Sequence, residues 1–190
     1  MRTFIAVELP SEIKEYLSYL QVDLKSCNAD VKWVEPKNIH ITLKFLGEVK
    51  EEKITSIKKI MEKISNQINS FAVSIFSLNG FPNIESPRVI WVEIKNGQKE
   101  LLYLNKLLEE ELSSIGIPKE KRPFCSHITL GRVRSHFNYH ILKQKIIESL
   151  DKPIQENKEF IVKYITLFKS TLTSSGPIYE AIYKVSLKEN

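Results

Sequence analysis

The sequence predicts an α+β fold in which strands, mostly in hairpins, alternate with single helices, and three observations lead there. Short apolar or alternating runs bounded by Pro, Gly and Asn recur along the 190 residues. Four longer stretches repeat their apolar residues at helical spacing. No Gly- or Ser-rich linker divides the chain, so residues 1–190 read as one domain whose two lobes share an interface. A chain of this length buries a core without a disulfide or metal staple.

Residues 3–9 form a short apolar strand. Pro10 and Ser11 open a helix, and Ile13, Tyr16, Leu17 and Leu20 hold one face of it to about Lys25. Segments 31–34 and 40–46 are β-branched or aromatic and flank Glu35-Pro36-Lys37-Asn38, which reads as a hairpin. Ile54, Ile57, Met61, Ile64 and Ile68 mark a second helix. Segments 71–78 and 89–94 alternate as strands across a loop containing Gly80, Pro82 and Pro87.

Leu101, Leu104, Leu107, Leu108 and Leu112 form a third helix, ended near Gly116 with Pro118 beyond it. A strand starts at His127. After a loop at 135–138, a shorter helix covers 139–150 and stops at Asp151-Lys152-Pro153. Segments 160–172 and 178–187 close the chain as two long strands around Ser174-Ser175-Gly176-Pro177.

Lys and Arg outnumber Asp and Glu by 28 to 23, a net charge of +5. That is a mild bias toward anionic partners and far short of a basic tail. Two cysteines, and a first apolar stretch broken at Glu8, predict a reducing, cytoplasmic setting without a signal segment. No apolar run approaches the roughly 18 residues of a membrane span, so no membrane association is expected.

The tetrapeptide His-Ile-Thr-Leu occurs twice, at 40–43 and 127–130, about half the chain apart. This predicts internal two-fold similarity, with one His-x-Thr strand from each half. Side chains at i and i+2 share a strand face, so His40, Thr42 and Lys44 point one way and Ile41, Leu43 and Phe45 the other. His127 and Thr129 share a face in the same way. Arg132 has the opposite parity and joins them only if the strand bends or bulges near Gly131.

Two imidazoles, each beside a hydroxyl, suit a reaction in which one group takes a proton and the other gives one. Phosphodiester cleavage is such a reaction, and it needs neither metal nor cofactor. Histidine's ordinary pKa of about 6.5 allows one ring to be neutral and the other charged near neutral pH. Metal binding by His40 and His127 would require further ligands, and neither sits in a His-x-x-x-His or acidic cluster. Cys125 shares parity with His127 and reads as a small buried residue rather than a nucleophile or ligand. His136 and His140 read as a solvated face.

These motifs resemble the paired His-x-Thr-x signatures of the two-histidine phosphoesterase superfamily, and more narrowly the RNA 2′,3′-cyclic phosphodiesterases once called 2′-5′ RNA ligases. The resemblance extends over residues 1–7, 33–49, 87–91, 122–124 and 176–179. It implies a bilobal pseudo-two-fold arrangement of antiparallel sheets with helices on the outer faces and a central cleft. It also implies His40 as general acid, His127 as general base, and Thr42 and Thr129 as ligands of the phosphate oxygens. The family commonly has Pro before the second histidine, where this chain has Ser126.

The expected substrate is RNA with a 2′,3′-cyclic phosphate end, tRNA fragments among them, handled by a monomer. Lys44, Arg88 and Arg132 are candidates for steering the RNA backbone, and Phe45 or Trp91 for stacking a base. Three other readings stay open: the same chemistry on a small cyclic nucleotide, 2′-5′ ligation, and a noncatalytic module that binds RNA ends.

Overall fold

The structure is a computed structural model and describes residues 1–151, 158–174 and 176–189. It has the α+β architecture expected from the sequence. In chain order the elements are β1 (Arg2–Glu8), α1 (Ser11–Lys25), β2 (Val31–Trp33), β3 (His40–Glu48), α2 (Glu51–Ser65), β4 (Phe71–Phe81) and β5 (Val89–Asn96). They continue with α3 (Gln98–Ser113), β6 (His127–Val133), α4 (Tyr139–Asp151), β7 (Glu159–Val162), β8 (Tyr164–Leu172) and β9 (Pro177–Ser186). The expected helix stop at Lys152-Pro153, and Ser175 of the last turn, lie outside the described residues.

The strands form one sheet in the order β7-β4-β5-β6-β3-β1-β8-β9, with β2 added against β6. Read outward from the middle, β6-β5-β4-β7 mirrors β3-β1-β8-β9, which is the two-lobed arrangement that the repeated tetrapeptide predicts. The lobes meet where β3 and β6, the two motif strands, pair antiparallel at Ile41 and Ile128.

The helices bury the faces that their periodicity defines. Ile13, Leu17 and Leu24 of α1, Ile57, Met61 and Ile64 of α2, and Leu101, Leu104, Leu108 and Leu112 of α3 are all buried. They enter the same core cluster as Ile41, Leu43, Ile128 and Leu130 of the motif strands. One face of each motif strand is therefore core and the other is free for polar groups.

Two expectations are corrected. Segments 31–34 and 40–46 do not form a hairpin: Pro36–Asn38 is a short 3₁₀ turn, and β2 pairs with β6 at Val31–Val133, Lys32–Arg132 and Trp33–Gly131. Beyond Ile128, β6 turns away from β3 and offers its edge to β2. Segment 160–172 is two strands broken at Lys163, and β7 and β8 sit in opposite lobes, on β4 and β1.

Candidate active site

Both motif strands carry a β-bulge at the same place. In β3, Thr42 faces Ala6 and Lys44 faces Ile5, which leaves Leu43 without a partner on β1. In β6, Thr129 faces Trp91 and Gly131 faces Ile90, which leaves Leu130 without a partner on β5. A bulge inverts the parity of the residues beyond it. The fourth residue of each tetrapeptide is thus the switch, and it decides the fate of the two basic candidates in opposite directions.

After the switch in β6, Arg132 turns to the same face as His127 and Thr129, and all three line one cleft. After the switch in β3, Phe45 turns to that face and Lys44 to the core. Lys44 is therefore not in the cleft. Its side chain is 1% exposed, its Nζ lies 2.7 Å from a Glu109 carboxylate oxygen of α3, and it donates to the Pro118 carbonyl. Gly131 occupies the equivalent position in β6. A Cβ there would come within 2.6 Å of Val31 Cγ1 and 3.0 Å of the Trp33 ring on β2, so any side chain at this point would have to push them aside.

Each bulge is held by a helix from the other half of the chain. Asn105 of α3 donates to the Leu43 carbonyl at 2.8 Å. Gln21 of α1, fully buried, donates to the Leu130 carbonyl at 2.9 Å and to the Val34 carbonyl at 2.8 Å. The Asn105 amide meets the carbonyl of the bulged Leu43, while the Gln21 amide adds a second bond to the Leu130 carbonyl, which also accepts from the Val34 N–H at 2.9 Å.

His40, Thr42, His127 and Thr129 line a cleft of about 600 Å³. Each ring is fixed by the same device. His40 Nδ1 lies 2.7 Å from the Asn38 carbonyl and His127 Nδ1 lies 2.8 Å from the Cys125 carbonyl. A carbonyl only accepts, so Nδ1 carries the proton in both rings and Nε2 is left for chemistry. His40 Nε2 also lies 2.9 Å from the Thr42 hydroxyl.

The surroundings of the two rings differ. Phe4 and Tyr179 enclose His40, with centroids 4.9 and 5.4 Å away. Among the described residues, the aromatic ring against His127 is Trp91, edge-on at 5.7 Å. Burial, opposed by the bond to Asn38 and assisted by Lys14 and His127, lowers the His40 pKa to about 4. His40 is therefore neutral at neutral pH in the empty cleft.

The rim of the cleft holds Arg2, Lys32, Arg132 and Arg134, against one carboxylate, Glu35. That balance attracts a polyanion. Arg2, Lys32 and Arg134 carry no signal in the sequence, because they lie on other strands or past the end of β6, away from the tetrapeptides. Arg88 is exposed and lies outside the lining of this cleft. Trp91 lines a second cavity instead. Cys125 is exposed rather than buried, and what it brings to the site is its backbone carbonyl. His136 and His140 are exposed, as expected.

Comparisons with known proteins identify the family. The family model described as LigT like Phosphoesterase matches the chain twice, at residues 7–91 and 92–179, so each match contains one tetrapeptide. An RNA 2′,3′-cyclic phosphodiesterase of Methanocaldococcus jannaschii is 39% identical over 96% of this chain and 98% of its own. One of Thermotoga maritima is 36% identical over 97% and 94%. A crystal structure of a Thermus thermophilus protein superposes with a TM-score of 0.81 at 27% identity, covering 100% of this chain and 99% of that one. Escherichia coli LigT in its apo form gives 0.79 at 26%, covering 98% and 97%. With the family's pattern present in both halves, and relatives of this identity along nearly its whole length, the chain belongs to the LigT-like phosphoesterase family.

Proposed function

We propose that this protein hydrolyses the 2′,3′-cyclic phosphate at an RNA end to a 2′-phosphomonoester, by acid and base catalysis between His40 and His127 without a metal. The observation that carries the reading is that both rings are tied through Nδ1, leaving Nε2 of each for the cleft that the two threonines share. The names of the relatives support the substrate. Among the described residues, no group of three or more His, Cys, Asp or Glu is placed to hold a metal ion.

In this scheme His127 Nε2 takes a proton from water as the oxygen attacks phosphorus, and His40 Nε2 gives one to the departing 3′-oxygen opposite. The P–O3′ bond breaks, and the phosphate stays on O2′. Thr42 and Thr129 donate to nonbridging oxygens, and Arg132 balances the charge that builds on them. His40 must be charged to act as the acid. The phosphate supplies that condition, because an anion beside a desolvated imidazole raises its pKa. The rim cations hold the upstream phosphates, so longer RNA is the better substrate.

The same reading takes residues 1–190 as one domain that acts as a monomer in the cytoplasm, with tRNA fragments among its substrates. No helix among the described residues is long and apolar enough to cross a membrane. The test is incubation with a labelled oligonucleotide ending in a 2′,3′-cyclic phosphate, with and without EDTA. The expected product carries a 2′-phosphate and a free 3′-hydroxyl at an EDTA-independent rate. A 3′-phosphate product, an intact substrate, or a rate restored only by Mn²⁺ or Zn²⁺ overturns it.

A further inference from the structure

The two rings share one fixing device, yet the residues that supply the carbonyls are not alike. For His127 it is Cys125, whose side chain is exposed. For His40 it is Asn38, which is 6% exposed. The Asn38 N–H donates to the Glu35 carbonyl at 2.8 Å and closes the 3₁₀ turn. Its carbonyl takes the proton of His40 Nδ1, and its side-chain Nδ2 donates to the Pro177 carbonyl at 2.9 Å. A carbonyl only accepts, so the amide nitrogen is the atom that faces Pro177.

Pro177 is the first residue of β9, 139 residues further along the chain. Two residues on, Tyr179 lines the same cleft and stands over His40. β9 lies at the end of the sheet, with β8 as its neighbour on one side. The start of such an edge strand has little support from the sheet. The Asn38 amide adds a tether there.

We infer that Asn38 is a positioning residue for the acid: its backbone carbonyl fixes the ring of His40, and its side chain ties down the root of β9 so that Tyr179 closes over that ring. The inference rests on His40 being the acid in the reaction above. One residue thus sets both the direction of Nε2 and the dryness around it. The inequality of the two imidazoles then has a source two residues before each of them, a buried amide with a distant partner in one case and an exposed thiol in the other.

Burial is the main cause that holds His40 at about 4. The charged and titratable groups around the ring are Lys14 of α1, Glu8 opposite it on β1 with Lys184 of β9, Tyr179 of β9, His127 of β6 and the charged side chains of the rim. Loss of the Asn38 amide alters none of these groups chemically. It lets β9 draw back, water reach the ring, and the imidazole return toward its ordinary value.

Asn38→Leu keeps the branched shape of the side chain and removes the donor. The ring nitrogen resonances of His40 in the free protein, assigned by their loss in His40→Gln, report its titration. The midpoint should rise in Asn38→Leu by about one pH unit or more. Tyr179→Ala should raise it as well, and the two changes together should give less than their sum, because both open the same wall. Asn38→Ser, too short to reach Pro177, should shift the midpoint in the same direction and serves if the Leu variant does not fold. A midpoint that stays at the wild-type value, or shifts that add in full, overturns the inference.

Kinetics read the same role. On a cyclic-phosphate oligonucleotide, kcat of Asn38→Leu should fall about tenfold or more while KM stays within about twofold, since the acid is misaligned and the rim cations are untouched. A raised KM with unchanged kcat overturns the positioning role. Failure of the wild type to cleave would instead sink the hydrolase reading, and the ring titration would still decide whether Asn38 governs His40.

Discussion

Ile41 and Ile128 are the same residue of the two tetrapeptides, and they are each other's partner where the lobes join. The local two-fold axis therefore passes between the motifs themselves. One step along each strand in either direction reaches an imidazole or a threonine on the cleft face.

Single substitutions His40→Ala and His127→Ala should each lower kcat by roughly 10²–10⁴-fold. The double variant should lose far less than the product of the two, because a proton donor without its acceptor has little left to contribute. Single-turnover rates on a cyclic-phosphate oligonucleotide measure this. Multiplicative losses would mean that the rings act separately.

The two pH profiles should differ. kcat/KM reports the free protein, where His40 titrates at about 4, so its acidic limb should lie near that value. kcat reports the complex, in which the phosphate anion raises His40, so the limb belonging to His40 should move upward. Superimposable profiles would show that bound phosphate leaves His40 unshifted.

His40 also makes stability depend on pH. Its pKa is about 6.5 unfolded and about 4 folded, so between those values the unfolded chain binds more protons. Stability is then lost as pH falls through this window, by up to about 3 kcal/mol. Urea denaturation at neutral pH and near pH 4.5 should show a larger loss for wild type than for His40→Gln. Equal losses would count against the burial of the ring.

Lys44 should behave as a core residue. Lys44→Met leaves the half-buried Glu109 carboxylate with the Glu120 N–H but without its cation and should cost about 1–3 kcal/mol, much of it recovered in the Lys44→Met, Glu109→Leu double variant. The salt dependence of RNA binding should be unchanged in the double variant and shallower in Arg132→Met. An equal change of slope in both would return Lys44 to the RNA surface.

Gln21→Leu removes the amide that bonds the Leu130 and Val34 carbonyls, leaving Leu130 with the Val34 N–H and the Val34 carbonyl without this donor. It should cost about 1–3 kcal/mol and lower kcat more than it changes KM, since β6 loses the clamp that aims Arg132. Denaturation together with steady-state kinetics checks both parts, and an unaltered kcat would limit Gln21 to stability.

The alternation His-x-Thr is legible because a strand keeps its period of two until something interrupts it. The interruption is not legible. Leu43 and Leu130 look like ordinary apolar strand residues, so parity alone puts Lys44 in the cleft and Arg132 outside it, and the bulges reverse both. Local sequence does not name a strand's partner, which is why the turn residues at 35–38 suggest pairing β2 with β3 and why Lys163 gives no sign of separating β7 from β8.

Gln21 does leave a trace. It stands among Ile13, Leu17 and Leu24 on the buried face of α1, and a polar residue in an apolar stripe has a backbone to satisfy. Asn105 leaves the same trace, four residues after Leu101 and three before Leu108 in the stripe of α3. The enclosure of His40 depends on Phe4 and Tyr179, from opposite ends of the chain, and only the folded sheet brings them together.

The crossed amide clamps have a consequence for how such an architecture can exist at all. A half-length ancestor with one tetrapeptide could not brace its own reactive strand; it would have to lend its helix to a twin and borrow one in return, as an exchanged homodimer. Symmetry would then impose identical surroundings on the two imidazoles. Only after fusion into a single polypeptide could one ring be walled in by aromatics while its counterpart stayed open, and that inequality is what lets a pair of like residues divide into a giver and a taker.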